Sequence, residues 1–327
     1  MLKRNLIRPK ARWSFILAML LLLFFTAFRA SANEATEDTL CPRMKLYQDF
    51  SYASKVPWYQ LAAIDQYEHN IASFREGSAV ELIYDTIGIR IEPDIWSGPL
   101  ATSEYETSPI EIGLFGGIGR DGDGDGVADI HNEQDVLYTI VEYIRSYQSF
   151  EDAINAYYEN ENARRIVLGI ARLFEKFGTI DLGQRAFPVS QHYNYSFTDG
   201  YGAARGWGGR RSHEGIDIFA SYGTPVTSTS YGIVEIAGWN EYGGYRVGIR
   251  DIYNTYQYYA HLQWFAKEIE VGAIVEPGQM IGSVGSTGYG PEGTSGKFVP
   301  HLHYGLYKFD GQREWAFNPY PHLLKWE

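Results

Sequence analysis

Cysteine is almost missing: Cys41 is the single one among 327 residues, and one thiol excludes an intramolecular disulfide framework. Basic charge is scarce and unevenly placed. Six of the 28 lysines and arginines (Lys3, Arg4, Arg8, Lys10, Arg12, Arg29) fall in residues 1–32, which hold no acid, so residues 33–327 carry 22 basic against 40 acidic side chains, a net of −18. A chain this acidic has no overall attraction for nucleic acid, which disfavours that partner class. Glycine is sparse in the first half, with 12 of 35 before residue 183, three of them in one loop. What is present suffices for a folded protein. With 45% hydrophobic and 21% charged residues the chain has the composition to bury an ordinary core, and its length fits two domains of about 150 residues.

The basic stretch through Arg12 is followed by an apolar run, Trp13 to Phe28, and then by Ala30-Ser31-Ala32, the small-residue A-x-A arrangement that signal peptidases accept. Residues 1–32 are expected to be an export signal. The apolar run of 16 residues falls short of the roughly 20 needed to cross the hydrocarbon core; uncleaved, residues 13–28 would be a membrane anchor. Either way the bulk of the chain is expected outside the cytoplasm, because the positive flank stays inside. Residues 33–44 read as a linker, with Cys41 as a free thiol near a flexible end.

Two halves differ in period. Residues 45–178 read as helices: Trp58 to Tyr67 repeats apolar residues at helical spacing behind Pro57, and Asp135 to Tyr147 and Ser149 to Phe177 do the same, the last with Ser149 as cap and Gly178 as terminator. Residues 179–327 hold the other 23 glycines, with short runs between them such as Ile216-Asp217-Ile218-Phe219 and Tyr245-Arg246-Val247-Gly248-Ile249. Such spacing predicts an all-β sheet or barrel-like domain.

Four of the chain's eight histidines fall in three short elements of the second half: His213-Glu214-Gly215-Ile216-Asp217, Tyr259-Ala260-His261-Leu262 and His301-Leu302-His303. Imidazole and carboxylate are the ligands of catalytic zinc, three from the protein with a fourth position open. In a strand, positions i and i+4 share a face, which would put His213 and Asp217 on one metal with Glu214 turned away; His301 and His303, at i and i+2, also share a face. The helical H-E-x-x-H motif does not apply, because the i+4 position is Asp217 and Gly215, Ile216 and Ile218 disfavour a helix. His192 and His322 match no pattern.

These elements resemble the lysostaphin-type zinc endopeptidases of bacterial cell walls, family M23, whose signature is H-x-x-x-D, a later lone histidine, and H-x-H. The resemblance spans roughly Gly183 to Pro321 and takes in Gly223-Thr224-Pro225-Val226, Gly232-Ile233-Val234, Tyr242-Gly243-Gly244, the region from Val271-Gly272 to Gly278-Gln279, and Gly285-Ser286-Thr287-Gly288. It implies a mainly antiparallel β metallopeptidase domain over 179–327, Zn2+ on His213, Asp217 and His303, and a catalytic pair, His261 and His301. One of that pair takes a proton from the attacking water and the other donates to the developing oxyanion. Arg205, Arg210 and Arg211 beside the first element form a local cationic cluster suited to a substrate carboxylate, with a solvated loop as the alternative. Tyr195, Trp207, Tyr245 and Tyr289 would line a groove or pack in the core.

In the first half, Asp121-Gly122-Asp123-Gly124-Asp125-Gly126 places carboxylates and glycine as an EF-hand loop begins, Asp129 sits at position 9, and Asp135 would replace the missing twelfth ligand in an extended loop 121–135. The expected ion is Ca2+. Leu61 to Glu68, Gly113-Leu114-Phe115-Gly116 and Ala153 to Tyr158 resemble the lysozyme-like domain of bacterial lytic transglycosylases over 45–178. Glu68 falls where that family's acid would sit. His69 replaces the usual serine, the glycine-methionine-glutamine element is missing, and Tyr157-Tyr158 stands for a tyrosine-asparagine pair, which points to a vestigial acid and a glycan-binding or positioning role.

The pairing of the two modules resembles the L-alanyl-D-glutamate endopeptidases of endospore formers. That implies an exported multidomain α and β enzyme acting on peptidoglycan, at the L-Ala-D-Glu bond of stem peptides, in wall or spore-cortex remodelling. The rivals are a D,D- or glycyl-glycine endopeptidase of the same family, a non-catalytic scaffold, and a glycan-cleaving enzyme working through Glu68.

Overall fold

A computed structural model describes residues 42–75, 87–206 and 211–327. The expected export signal, Cys41, Trp207 and Arg210 lie outside the described residues. No helix among the described residues is long and apolar enough to cross a membrane.

Residues 42–54 form helix α1, and α2 (Trp58–Arg75) follows Pro57 as the apolar spacing predicts. Helix α2 is buried on more than one side, since Asp65 and Glu68 are as enclosed as Leu61, Ile64 and Ile71. A buried carboxylate is costly unless hydrogen-bonded. Asp65 meets that condition: Oδ1 accepts the Gly88 N–H at 2.5 Å, and Oδ2 accepts the Tyr47 hydroxyl. Two short helices open on prolines, α3 (Pro93–Ser97) and α4 (Pro109–Leu114), and α5 (Glu133–Arg145) starts two residues ahead of the expected Asp135, capped by Asn132.

The expected helix over 149–177 is two helices. Ser149 caps α6 (Phe150–Tyr157) by accepting the Asp152 N–H at 3.1 Å, but the chain turns extended at Tyr158. Asn160 then restarts it as the cap of α7 (Glu161–Phe177), its Oδ1 accepting from the N–H groups of Asn162 and Ala163. Asparagine gains more as a cap than inside a helix, where its side chain competes for backbone bonds. Gly178, at φ +67°, ends α7 in the left-handed conformation.

The second half is antiparallel β. Its strands are β1 (Tyr195–Ser196), β2 (Ala204–Arg205), β3 (Arg211–Ser212), β4 (Ile216–Ala220), β5 (Pro225–Thr227), β6 (Gly232–Asn240), β7 (Gly244–Arg250), β8 (Thr255–Phe265), β9 (Ile274–Val275), β10 (Met280–Val284), β11 (His301–Phe309) and β12 (Glu314–Phe317), followed by helix α8 (Tyr320–Trp326). The main sheet runs β1-β4-β11-β8-β7-β6-β9, with β10 joining β5 to β8 and β12 on β11, while β2 and β3 form a separate hairpin. Alternation decides which side chains reach the core. Ile216 and Ile218 on β4 and Leu302 and Tyr304 on β11 are fully buried, which turns Asp217, His301 and His303 to the opposite face.

Tyr47–Glu327 form one compact unit, so the helices are tied to the sheet. Arg165 of α7 and Arg250 of β7 both pair with Glu235 of β6, and Arg250 also bonds Glu314 of β12. Asn70 of α2 donates to the Ile252 carbonyl at 2.7 Å.

Candidate metal centre

Strands β4 and β11 pair with Asp217 opposite His303, which fixes two ligand atoms by register alone. His213 arrives differently from the expectation. It lies in the bend between β3 and β4 rather than in a strand with Asp217, held by reciprocal backbone bonds, His213 N–H to the Ala203 carbonyl at 3.0 Å and Gly202 N–H to the His213 carbonyl at 2.9 Å. The three side chains still converge. His213 Nε2 lies 3.0 Å from Asp217 Oδ1 and 3.0 Å from His303 Nδ1, and His303 Nδ1 lies 3.1 Å from Asp217 Oδ1.

That triangle fits zinc. Ligands of a tetrahedral ion with bonds of about 2.0–2.1 Å stand about 3.3 Å apart, close to the edges found, and two imidazoles with one carboxylate are a catalytic donor set that leaves a fourth position open. The outer hydrogen bond that such a site uses is also present, since His213 Nδ1 lies 2.9 Å from the Gly200 carbonyl and donates to it, which leaves the Nε2 lone pair available to a metal. Burial alone would raise the Asp217 carboxyl, but hydrogen bonds from His213 and His303 and the neighbouring His301 hold it well below the usual carboxylate range. Gly215 is required beside the site, because a Cβ there would lie 2.7 Å from His303 Cε1 and 2.6 Å from the Tyr304 carbonyl oxygen.

His261 and His301 stand beside the triad with ring centroids 4.9 Å apart. His261 Nδ1 lies 2.8 Å from the Thr287 carbonyl, and His301 Nδ1 lies 2.9 Å from the Val299 carbonyl. A carbonyl only accepts, so both Nδ1 atoms carry the proton and each Nε2 keeps its lone pair. His301 Nε2 faces the triad, 3.7 Å from Asp217 Oδ1. Burial, reinforced by the neighbouring His301 and His303, pushes His261 down to about 3; burial also lowers His301 and His303. The pair is therefore neutral near pH 7, as a proton acceptor must be. His261 has φ +63° and Tyr289, stacked on it at 6.1 Å, has φ +56°, two non-glycine residues in the sparsely allowed left-handed region at one site.

These groups line an open cleft of about 330 Å3, together with Arg205, Arg211, Tyr242, Tyr258, Tyr289 and Phe298. Of the four aromatic residues expected along a groove, Tyr289 is there. Tyr195 bonds Glu327 and packs on Phe187, and Tyr245 packs on Trp239 and Phe265. Sequence reading missed Phe298, which packs on both His261 and His301, and Thr287, whose carbonyl fixes the His261 tautomer. Thr287 lay inside the quoted Gly285-Ser286-Thr287-Gly288 match, a signal of position without role. His192 is exposed, and His322 packs against Phe317 and Trp326.

The acidic loop converges less than expected. Carboxylate oxygens of Asp121, Asp123 and Asp135 lie within 4.8 Å of one another, but Asp125 and Asp129 are not in that group. Asp125 accepts the Val127 N–H and Asp129 the His131 N–H, each at 2.8 Å. Asp135 is raised by burial, and its two oxygens accept the N–H groups of Gly122 and Asp129. Glu68 is 2% exposed and accepts the Tyr158 hydroxyl at 2.7 Å, so its carboxylate is closed off from the surface.

Comparison with known proteins agrees with the site. The model of peptidase family M23 matches residues 211–319. Over 314 residues, 95% of this chain and 96% of the relative, the sequence is 52% identical to the L-Ala–D-Glu endopeptidase of Bacillus subtilis (strain 168). It is 37% identical over 114 residues, 34% of this chain and 29% of the relative, to the glycyl-glycine endopeptidase ALE-1 of Staphylococcus capitis. Among solved structures, the catalytic domain of the antimicrobial peptidase lysostaphin from Staphylococcus simulans is 35% identical, covering 41% of this chain and 93% of that one, with a TM-score of 0.32. The near full-length match includes the helical half as well as the sheet. On the converging His213, Asp217 and His303 and on this match, the chain belongs to peptidase family M23.

Proposed function

We propose that this protein is a zinc-dependent peptidoglycan endopeptidase that hydrolyses the L-Ala–D-Glu bond of stem peptides. The observation that carries the bond assignment is the 52% identity over 95% of the chain to an L-Ala–D-Glu endopeptidase; the metal chemistry rests on the three converging ligands.

Residues His213, Asp217 and His303 would hold the ion, which when bound supplies Lewis acidity to the scissile carbonyl and the attacking water. His301 takes the proton from that water at Nε2, the nitrogen that faces the triad, because its Nδ1 is committed to the Val299 carbonyl. His301 passes that proton to the leaving amine, and His261, fixed through Nδ1 by Thr287, takes the second proton of the attacking water at its own Nε2 and hands it on in turn, so that both protons end on the amine and the acyl side leaves as carboxylate. Phe298 packs on both rings and Tyr289 on His261, which holds them in place.

The reading sets the protein outside the cytoplasm, exported by residues 1–32, acting in wall or spore-cortex remodelling. The helical half, lysozyme-like in its motifs, then positions glycan rather than cleaving it, a role supported by the enclosure of Glu68. For the acidic loop the reading keeps Ca2+ on Asp121, Asp123 and Asp135; terbium luminescence at that loop, lost in Asp123→Asn, tests it.

Mass spectrometry of muropeptides after digestion of purified peptidoglycan tests the bond. New amino termini on D-Glu are expected. New termini on glycine, or on the residue after D-Ala, would assign the enzyme to the cross-bridge specificities instead, and the absence of new amines from zinc-loaded protein would make it a scaffold.

A further inference from the structure

The hairpin β2–β3 pairs Arg205 directly with Arg211. Directly opposite residues of an antiparallel pair project from the same face, and both line the metal cleft. Like charges at such a rung repel, and this chain carries few cations. Each guanidinium is nonetheless anchored to a cleft residue. Arg205 Nη2 donates to Asp217 Oδ2 at 2.5 Å, while Arg211 Nη2 donates to the Tyr289 hydroxyl and its guanidinium carbon stands 5.7 Å from the Tyr289 ring centroid. Lys297 donates to the Tyr289 carbonyl at 2.5 Å and adds a third positive charge near the rung.

We propose that the Arg205–Arg211 rung selects the substrate by binding a free carboxylate on the residue that contributes the scissile N–H. This rests on the L-Ala–D-Glu assignment. A glutamate has two carboxyl groups and a linear chain continues through one of them, so the other stays free beside the bond being cut. Two planar guanidinium forks meet a carboxylate in a geometry that a glycine bridge never offers them. The rung determines specificity and binding; it moves no proton.

The test compares two synthetic stem peptides that differ in one group, the free D-Glu carboxylate or its primary amide, on zinc-loaded wild type, Arg211→Gln and Arg211→Lys. Wild type is expected to prefer the acid by about 10- to 100-fold in kcat/KM, as for a site that loses a charged partner. Arg211→Gln should lower kcat/KM for the acid, mainly through KM, by at least about 10-fold more than for the amide, collapsing the preference, with Arg211→Lys in between. Equal use of both peptides by wild type, or an unchanged preference in Arg211→Gln, overturns the proposal. Should Arg211→Gln fail to fold, the wild-type ratio and Arg211→Lys decide. Cleavage of neither peptide overturns the bond assignment itself, and the rung's substrate with it.

Discussion

Asp217 and His303 face each other across the β4–β11 pair, their ligand atoms 3.1 Å apart. A register slip of one residue would replace Asp217 with Ile216 or Ile218 and expose core side chains, so the apolar core that fixes the pairing also fixes the metal geometry.

Removing that carboxylate should empty the centre. Asp217→Ala is expected to weaken zinc by more than the roughly 10- to 100-fold that loss of an outer hydrogen-bond partner costs, and to abolish turnover. Metal content after dialysis, read by mass spectrometry, checks this; a variant that keeps one zinc per chain would mean the ligands are misassigned.

The adjacent pair should separate metal from turnover. His301→Ala and His261→Ala are expected to retain zinc while kcat falls about 10²- to 10⁴-fold, the usual weight of a positioned acid or base. Loss of zinc in either variant would move that residue into the ligand set.

Gly215→Ala probes packing against a ligand. The added Cβ meets His303 at 2.7 Å and the Tyr304 backbone oxygen at 2.6 Å, and the backbone cannot yield. A loss of about 1–3 kcal/mol is expected from the overpacking, with weaker zinc because His303 is displaced. Thermal melts with and without zinc measure both, and an unchanged melting temperature would refute the contact.

Glu235 should matter far more than its exposed partner. Arg250 is 4% exposed and loses a charge partner in Glu235→Ala, so a cost of about 3 kcal/mol is expected. Arg165 is 42% exposed on its side chain, and Arg165→Ala should cost no more than about 1 kcal/mol. Urea unfolding of the two variants gives the difference; equal losses would show that Arg250 gains nothing from Glu235.

Much of the site is legible in the sequence. The i, i+2 spacing of His301 and His303 survives into β11 because strand alternation is local. His213 and Asp217 do converge, but not by strand alternation, since His213 reaches the triangle from a bend held by Ala203 and Gly202. Asn160 split one expected helix into two because capping outweighs apolar period where an asparagine restarts the ladder. Arg205 and Arg211 were legible as a cationic cluster, but their pairing as a rung was not, because it depends on hairpin register; nor was the hold of Thr287 and Val299 on the His261 and His301 tautomers, because backbone carbonyls carry no sequence signature.

The ligand set is divided between two kinds of support, and that division has a kinetic meaning. Asp217 and His303 sit on paired strands whose amides are expected to exchange with solvent only near global unfolding, whereas His213 hangs on the two-stranded β2–β3 hairpin, which opens at lower cost. Loss of the ion is therefore expected to begin at His213, with Asp217 and His303 keeping their strand pairing in the folded chain. Ion exchange without unfolding is the expected consequence of that asymmetry.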